Sequence, residues 1–195
     1  MEDKIEELRL IRRARRGDAA AVEALIRAHQ DQLFGFMLRL SGRPDVAQDM
    51  VQEAFVRVIR SIDRFDDRFR FSTWLFTIAR RLFVNYMQKM RPTSDTDTVG
   101  RWQGRTETPG TITADAETRE NLRGLLDRAI GTLGPLQREI VLLFHQQHWS
   151  IGEIATTLRI PEGTVKSHLF RARRRMQAFI ESDARDARLA KEALA

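Results

Sequence analysis

Three stretches of this chain carry side chains able to do chemistry, and in each the chemistry is non-covalent. The first is EGTVKSHLFRARRRM at 162–176, where Lys166, Arg171, Arg173 and Arg174 stand beside Ser167, His168 and Phe170. Such groups donate hydrogen bonds to base edges and phosphates, and a ring can meet a base methyl. The second is DRFDDRFRF at 63–71, dense in arginine and phenylalanine. Guanidinium groups that hold phosphates, beside rings that stack unpaired bases, suit a single nucleic-acid strand. The third is a strip of acids and amides at helical spacing, Asp45, Asp49, Gln52 and Glu53, with a valine, Val56, among them. In a basic chain such a strip is a candidate protein-binding surface, although an ordinary solvated face is the plainer reading of this helix alone. Covalent chemistry finds less support. There is no glycine-rich phosphate loop and no paired nucleophile and base. His145 and His148 share a helical face, but no third ligand of matching spacing lies near, so no metal or cofactor is expected.

The elements that must position these residues read as helices. Ile151, Ile154, Ala155 and Leu158 make one short amphipathic helix. Arg159-Ile160-Pro161 interrupts it, and Pro161-Glu162 opens the next, where proline and a negative charge both suit a first turn. On that second helix Val165, Leu169, Ala172 and Met176 form a core stripe, while Gly163, Ser167, Phe170, Arg171 and Arg174 face the other way, flanked by Lys166 and Arg173. Two helices joined by a tight turn, the second carrying cations outward, have the layout of a helix-turn-helix DNA reader.

Earlier in the chain, Ile5, Leu8 and Ile11 predict a helix within residues 1–16, and Gly17-Asp18 breaks it with Asp18 as a cap. Val22, Leu25, Ile26, Leu33, Phe36, Met37 and Leu40 predict a helix from Ala19 to Leu40. After a turn at 41–45, with Asp45 as its expected N-cap, a helix from Val46 to Ile62 buries Ala47, Val51, Ala54, Phe55, Val58 and Ile62. Ser72 is the expected cap of a helix running to Met90. There Leu75, Ile78, Ala79, Leu82 and Tyr86 point inward, Thr77, Arg80, Arg81, Val84 and Gln88 outward, and Trp74 sits at the edge. Between Val56 and Arg91 there are nine Arg or Lys and three acidic residues. Phe55 and Phe83 read as core; for Phe65, Phe69 and Phe71 packing and base stacking both stand.

Residues 92–118 lose all periodicity and read as a flexible linker, with Trp102 its lone large apolar group. Leu122, Leu125, Leu126 and Ile130 stripe a helix from Arg119 to Leu133. Ile140, Val141, Leu143 and Phe144 stripe another from Leu136 to His145. The chain after Phe179 is charged and alanine-rich. The expected fold is all-α: an N-terminal helical domain over 1–91, the linker, a C-terminal helix-turn-helix domain over 119–180, and a charged tail over 181–195.

Composition sets the limits. Hydrophobic residues are 42% of the 195, enough to bury real cores in one or two small domains. The net charge of +6 suits a polyanionic partner. Cysteine is absent, which excludes disulfides and thiolate metal sites. The acidic start MEDKIEELRL is unlike a signal peptide, and no apolar run reaches the roughly 18 residues a membrane span needs. No membrane insertion and a cytoplasmic location are the expectation.

Taken together, DVAQDMVQEAFVRVIRSIDRF (45–65), FSTWLFTIARRLFVNYMQK (71–89) and LGPLQREIVLLFHQQHWSIGEIATTLRIPEGTVKSHLFRARRRM (133–176) resemble, in order, the bacterial sigma factors of the extracytoplasmic-function (ECF) group. The resemblance implies a non-enzymatic initiation subunit that directs core RNA polymerase to promoters with −10 and −35 elements and helps melt the −10 region. It implies contacts with the β′ and β subunits, with promoter DNA, and with an anti-sigma factor of the kind that commonly restrains this family. Asp45, Asp49, Gln52, Glu53 and Val56 would bind the polymerase β′ coiled coil. Phe65, Arg68, Phe71, Trp74, Thr77, Arg80 and Arg81 would hold a flipped-out −10 base and its neighbours. Lys166, Ser167, His168, Phe170, Arg171 and Arg174 would meet the −35 element, Arg171 by a bidentate contact with guanine and Arg173 and Arg174 by gripping phosphates. Departures from the family pattern are Val46 and Gln48, where relatives often carry acids, and Arg81, where many carry asparagine. With the chain ending soon after its last helix, an appended sensory domain is not expected. An alternative is a stand-alone regulator, because GTVKSHL at 163–169 also resembles the reading helix of quorum-sensing and response-regulator activators. That alternative leaves residues 45–91 without a role.

Overall fold

A computed structural model describes residues 2–90 and 114–194, and among them every regular element is a helix. The chain divides into two compact units, Met1–Arg101 and Trp102–Ala195. Most of the expected linker, Trp102 included, lies outside the described residues.

The first unit contains α1 (Glu2–Ala14), α2 (Ala19–Ser41), α3 (Pro44–Arg60), a 3-10 turn at Ile62–Arg64 and α4 (Phe71–Met90). Local chemistry sets its breaks. Gly17 adopts a positive φ of 82°, open to a residue without Cβ. Asp18 then caps α2 by accepting from the amides of Ala20 and Ala21 at 3.0 and 3.2 Å. Arg13 beside it, together with those amides, holds its carboxyl below the usual carboxylate range. Gly42 ends α2 in the left-handed region. Pro44 occupies the first turn of α3, so the chain enters the helix through Arg43 and not through Asp45 as expected. The α4 start also differs. The Trp74 amide bonds the Arg70 carbonyl at 3.3 Å, which puts Ser72 inside the first turn and not at its cap. Phe36, Leu33, Met37, Val58, Leu75 and Phe76 are fully buried between α2, α3 and α4, with Phe36 and Phe76 edge to face at 5.1 Å. Ile11 of α1 is buried as well, whereas Ile5 is exposed.

The second unit contains α5 (Ala114–Gly131), α6 (Pro135–Val141), a π-helical turn (Leu142–Gln146), α7 (Ile151–Leu158), α8 (Glu162–Glu181) and α9 (Ala184–Leu194). The single helix expected over 136–145 is therefore α6 followed by a wider π turn. Leu142 and Leu143 are buried there, while Phe144 is only half-buried. The α5 stripe narrows to Leu125, Ala129 and Ile130, leaving Leu126 exposed. Arg138 is buried and donates to the carbonyls of Gly131 and Leu133 at 3.1 and 3.2 Å, closing the end of α5. Its burial pushes its pKa down from the ordinary arginine value. Residues 181–195, expected as a charged tail, include α9. The Asp183 carboxylate accepts from the Asp186 amide at 3.2 Å, and buried Asp186 pairs with Arg128 of α5 at 2.7 Å. The ion pair with α5 leaves no signal in the sequence, since nothing in the periodicity of 184–194 points to residue 128.

A candidate interface for polymerase and promoter DNA

On α3 the core stripe and the polar strip separate as the periodicity requires. Val46, Ala47, Val51, Ala54, Phe55 and Val58 are buried. Asp45, Asp49, Gln52 and Val56 are exposed, and Glu53 is half-exposed. Val56 is 39% exposed, an apolar spot within a polar strip. Two of the acids already have cations. Arg43 pairs with Asp45 and holds its carboxyl below the usual range, and Arg57 donates to Glu53 at 2.6 Å. Val46 faces the core, so an acid at that position would meet the apolar interior.

In the loop between the 3-10 turn and α4, two of the expected base contacts are buried. Phe65 and Phe71 are 5% and 1% exposed and cannot offer a face to a base from this arrangement. They form an aromatic cluster with half-buried Trp74, with centroids 5.3 to 5.9 Å apart, and His29 lies 5.2 Å from Phe71. The signal was in the spacing: Phe71, Leu75, Ala79 and Leu82 continue one helical stripe. The aromatic ring that does reach solvent is Phe69, 58% exposed. It sits on a tight turn in which the Asp66 carbonyl accepts its amide at 3.1 Å. The Asp66 carboxylate accepts from Arg68 backbone and guanidinium, at 3.0 and 2.9 Å, which draws its pKa down. Arg68 and Arg70 are exposed, as is Arg81 on α4, while Thr77 and Arg80 are half-buried. The Thr77 hydroxyl donates to the Thr73 carbonyl at 2.7 Å.

In the second unit α7 and α8 form the helix-turn-helix. Ser150 and Glu153 make a reciprocal capping box, with Glu153 N–H donating to Ser150 Oγ at 3.2 Å and Ser150 N–H to the Glu153 carboxylate at 2.7 Å. Arg159 ends α7 in the left-handed region at φ 56°. Val165 and Ala172 are buried, and Leu169 and Met176 pack against Ala172, Leu133 and Val141. Lys166, Ser167, Phe170, Arg171, Arg173 and Arg174 are all exposed. Ser167 Oγ donates to the Gly163 carbonyl at 2.9 Å, and the Arg174 guanidinium lies 5.9 Å from the centre of the Phe170 ring. His168 differs from the other expected contacts. It is half-buried, its Nδ1 is buried without a hydrogen-bond partner, and burial with nearby Arg171 lowers its pKa.

Fold and site thus define a helical protein of two units, one with a helix-turn-helix whose second helix carries exposed cations, the other with an acidic strip on α3 and a loop of cations and aromatics ahead of α4. Residues 25–93 match the family model for Sigma-70 region 2, and residues 123–176 match that for Sigma-70 region 4. The ECF RNA polymerase sigma factor SigW of Bacillus subtilis is 31% identical over 84% of this chain and 90% of its own. The ECF RNA polymerase sigma factor SigL of Mycobacterium tuberculosis is 33% identical over 85% of this chain and 94% of its own. Among solved structures, the sigma factor RpoE of Bartonella quintana, crystallised with the anti-sigma factor NepR, matches with a TM-score of 0.65 at 26% identity, covering 83% of this chain and 97% of that one. The chain belongs to the ECF RNA polymerase sigma factors, proteins that direct transcription initiation. The region 2 match covers the residues that a stand-alone regulator would leave idle, so that alternative falls. No helix among the described residues is long and apolar enough to cross a membrane.

Proposed function

We propose that the chain divides initiation between its units. The α3 strip of Asp45, Asp49, Gln52, Glu53 and Val56 docks on the β′ coiled coil of core RNA polymerase, and the second unit meets β. The loop at 66–70, with Arg68 and Phe69 at its tip, and the α4 face of Trp74, Thr77, Arg80 and Arg81 hold the unpaired −10 strand. Phe65 and Phe71 brace that loop from below. Helix α8 lies in the −35 major groove, where Lys166, Ser167, Phe170 and Arg171 meet base edges and Arg173 and Arg174 meet phosphates. The chain makes and breaks no covalent bond; the polymerase does, and both act in the cytoplasm. Because the RpoE relative was crystallised with an anti-sigma factor, a protein inhibitor covering these same surfaces is the regulation we propose.

The observation that carries this reading is the joint exposure of the α3 strip, the 66–70 loop and the α8 cations on the segments matching regions 2 and 4. Run-off transcription with purified core enzyme on genomic promoter fragments tests it. A promoter-specific transcript is expected; no transcript from any fragment, with core binding also absent, overturns it. Asp49→Arg with Glu53→Arg is expected to reduce co-purification with core enzyme while leaving the melting temperature in place. Undiminished co-purification would remove the α3 strip from the proposal.

A further inference from the structure

We propose that Arg15 is a positioning residue for recognition of the unpaired −10 strand, its guanidinium holding the backbone from which the 66–70 loop springs. The inference rests on the reading of that loop as a −10 contact. Arg15 lies immediately past α1 and ahead of the region 2 match, which begins at residue 25.

Its Nε donates to the Ile62 carbonyl at 3.2 Å, and its Nη2 donates to the Phe65 carbonyl. The Ile62 carbonyl also accepts the Phe65 amide at 3.1 Å, so the 3-10 turn and the clamp share an acceptor. Phe65 is the last residue before the Asp66 turn. A guanidinium presents its N–H groups in a planar fork, so two carbonyls bound to one fork are fixed in direction as well as distance. Arg15 is itself fixed at its backbone, its amide bonding the Ile11 carbonyl at 3.0 Å. The N-terminal segment reaches the loop base by a second route. Glu7 of α1 meets His29 Nε2 at 3.0 Å, His29 lies against Phe71, and Phe71 packs on Phe65 and Trp74. Both ends of the loop are thereby anchored, while Arg68, Phe69 and Arg70 between them stay exposed. A preset loop loses less conformational freedom when it captures a base.

The test uses holoenzyme assembled from core polymerase and the full chain, with wild type, Arg15→Met, Arg15→Lys and Phe69→Ala compared. The probe is a single-stranded DNA pool randomised over six positions, with retention measured and base preference read by sequencing. Arg15→Met is expected to keep core affinity within about twofold yet lose about tenfold in retention, the order of the cost of ordering a loop on binding, and to flatten base preference. Arg15→Lys keeps charge and stem but not the fork, and is expected to fall between the two; it also serves if the methionine variant does not fold. Phe69→Ala is expected to flatten preference by removing the loop tip. Wild-type preference in both Arg15 variants, with Phe69→Ala impaired, overturns the role of Arg15 alone. Wild-type preference in all three overturns the loop reading and this inference with it. Core affinity, melting temperature and retention falling in proportion in the Arg15 variants also overturns it, because that pattern belongs to a residue that merely supports the fold.

Discussion

Arg171 stands exposed on α8 next to buried Ala172, so the packing of Ala172 turns the Arg171 side of the helix outward. In the proposed −35 reading its guanidinium meets O6 and N7 of a guanine, a contact worth about 1–3 kcal/mol of discrimination. Arg171→Ala is expected to cut −35-dependent initiation about tenfold or more and to relax choice at one base pair; a −35 substitution series scored by run-off transcription checks it. His168 makes a different case. Its pKa in the folded chain lies below the unfolded value of about 6.5, through burial first and Arg171 second. The unfolded chain therefore takes up this proton first as pH falls. The second unit should hold its full stability above about pH 6.5 and lose some of it below. Melting curves across pH 7.5 to 5.5 are expected to show that fall, and His168→Gln to flatten it.

Helix α7 has one turn of its length devoted to its cap. Eight residues cannot hold a helix in water by propensity alone, so the Ser150–Glu153 box and the burial of Ile154 and Ala155 set its position under α8. Ser150→Ala is expected to destabilise the second unit by about 1 kcal/mol, measured by urea unfolding, and to weaken −35 binding only in the same proportion. Helix α4 shows why exposure and residue type must be read together. Its first residue, Phe71, joins the core stripe, and this draws Phe65 and Trp74 into one cluster. The aromatic left for solvent is then Phe69, on the turn made by Asp66.

The charge of the chain as a whole, 33 Lys and Arg against 27 Asp and Glu, favours a phosphate-rich partner without choosing among sequences. Promoter affinity of the holoenzyme should fall steeply with salt, since each neutralised phosphate releases counterions. Arg173→Ala, on an exposed flank of α8, is expected to reduce the slope of log affinity against log salt by about one while leaving base preference unchanged. Filter binding at several salt concentrations separates this from Arg171→Ala, which alters preference.

Helical periodicity is a local property, and it sufficed for the all-α class, for the core stripes of α2, α3 and α8, and for the outward cations of α8. Each follows from the 3.6-residue repeat and the need to hide apolar side chains. Three motifs in order were enough to indicate the family. Partners distant along the chain were beyond reach of such reasoning. Whether Phe65 packs or stacks depends on Phe71 and Trp74 closing over it. Whether residues 184–194 trail or dock depends on Arg128, and Arg15 acquires its contacts only because α1 is brought against the turn at 62–65. Loop and terminal side chains take their environment from whatever folding carries to them, and spacing along the sequence holds no record of it.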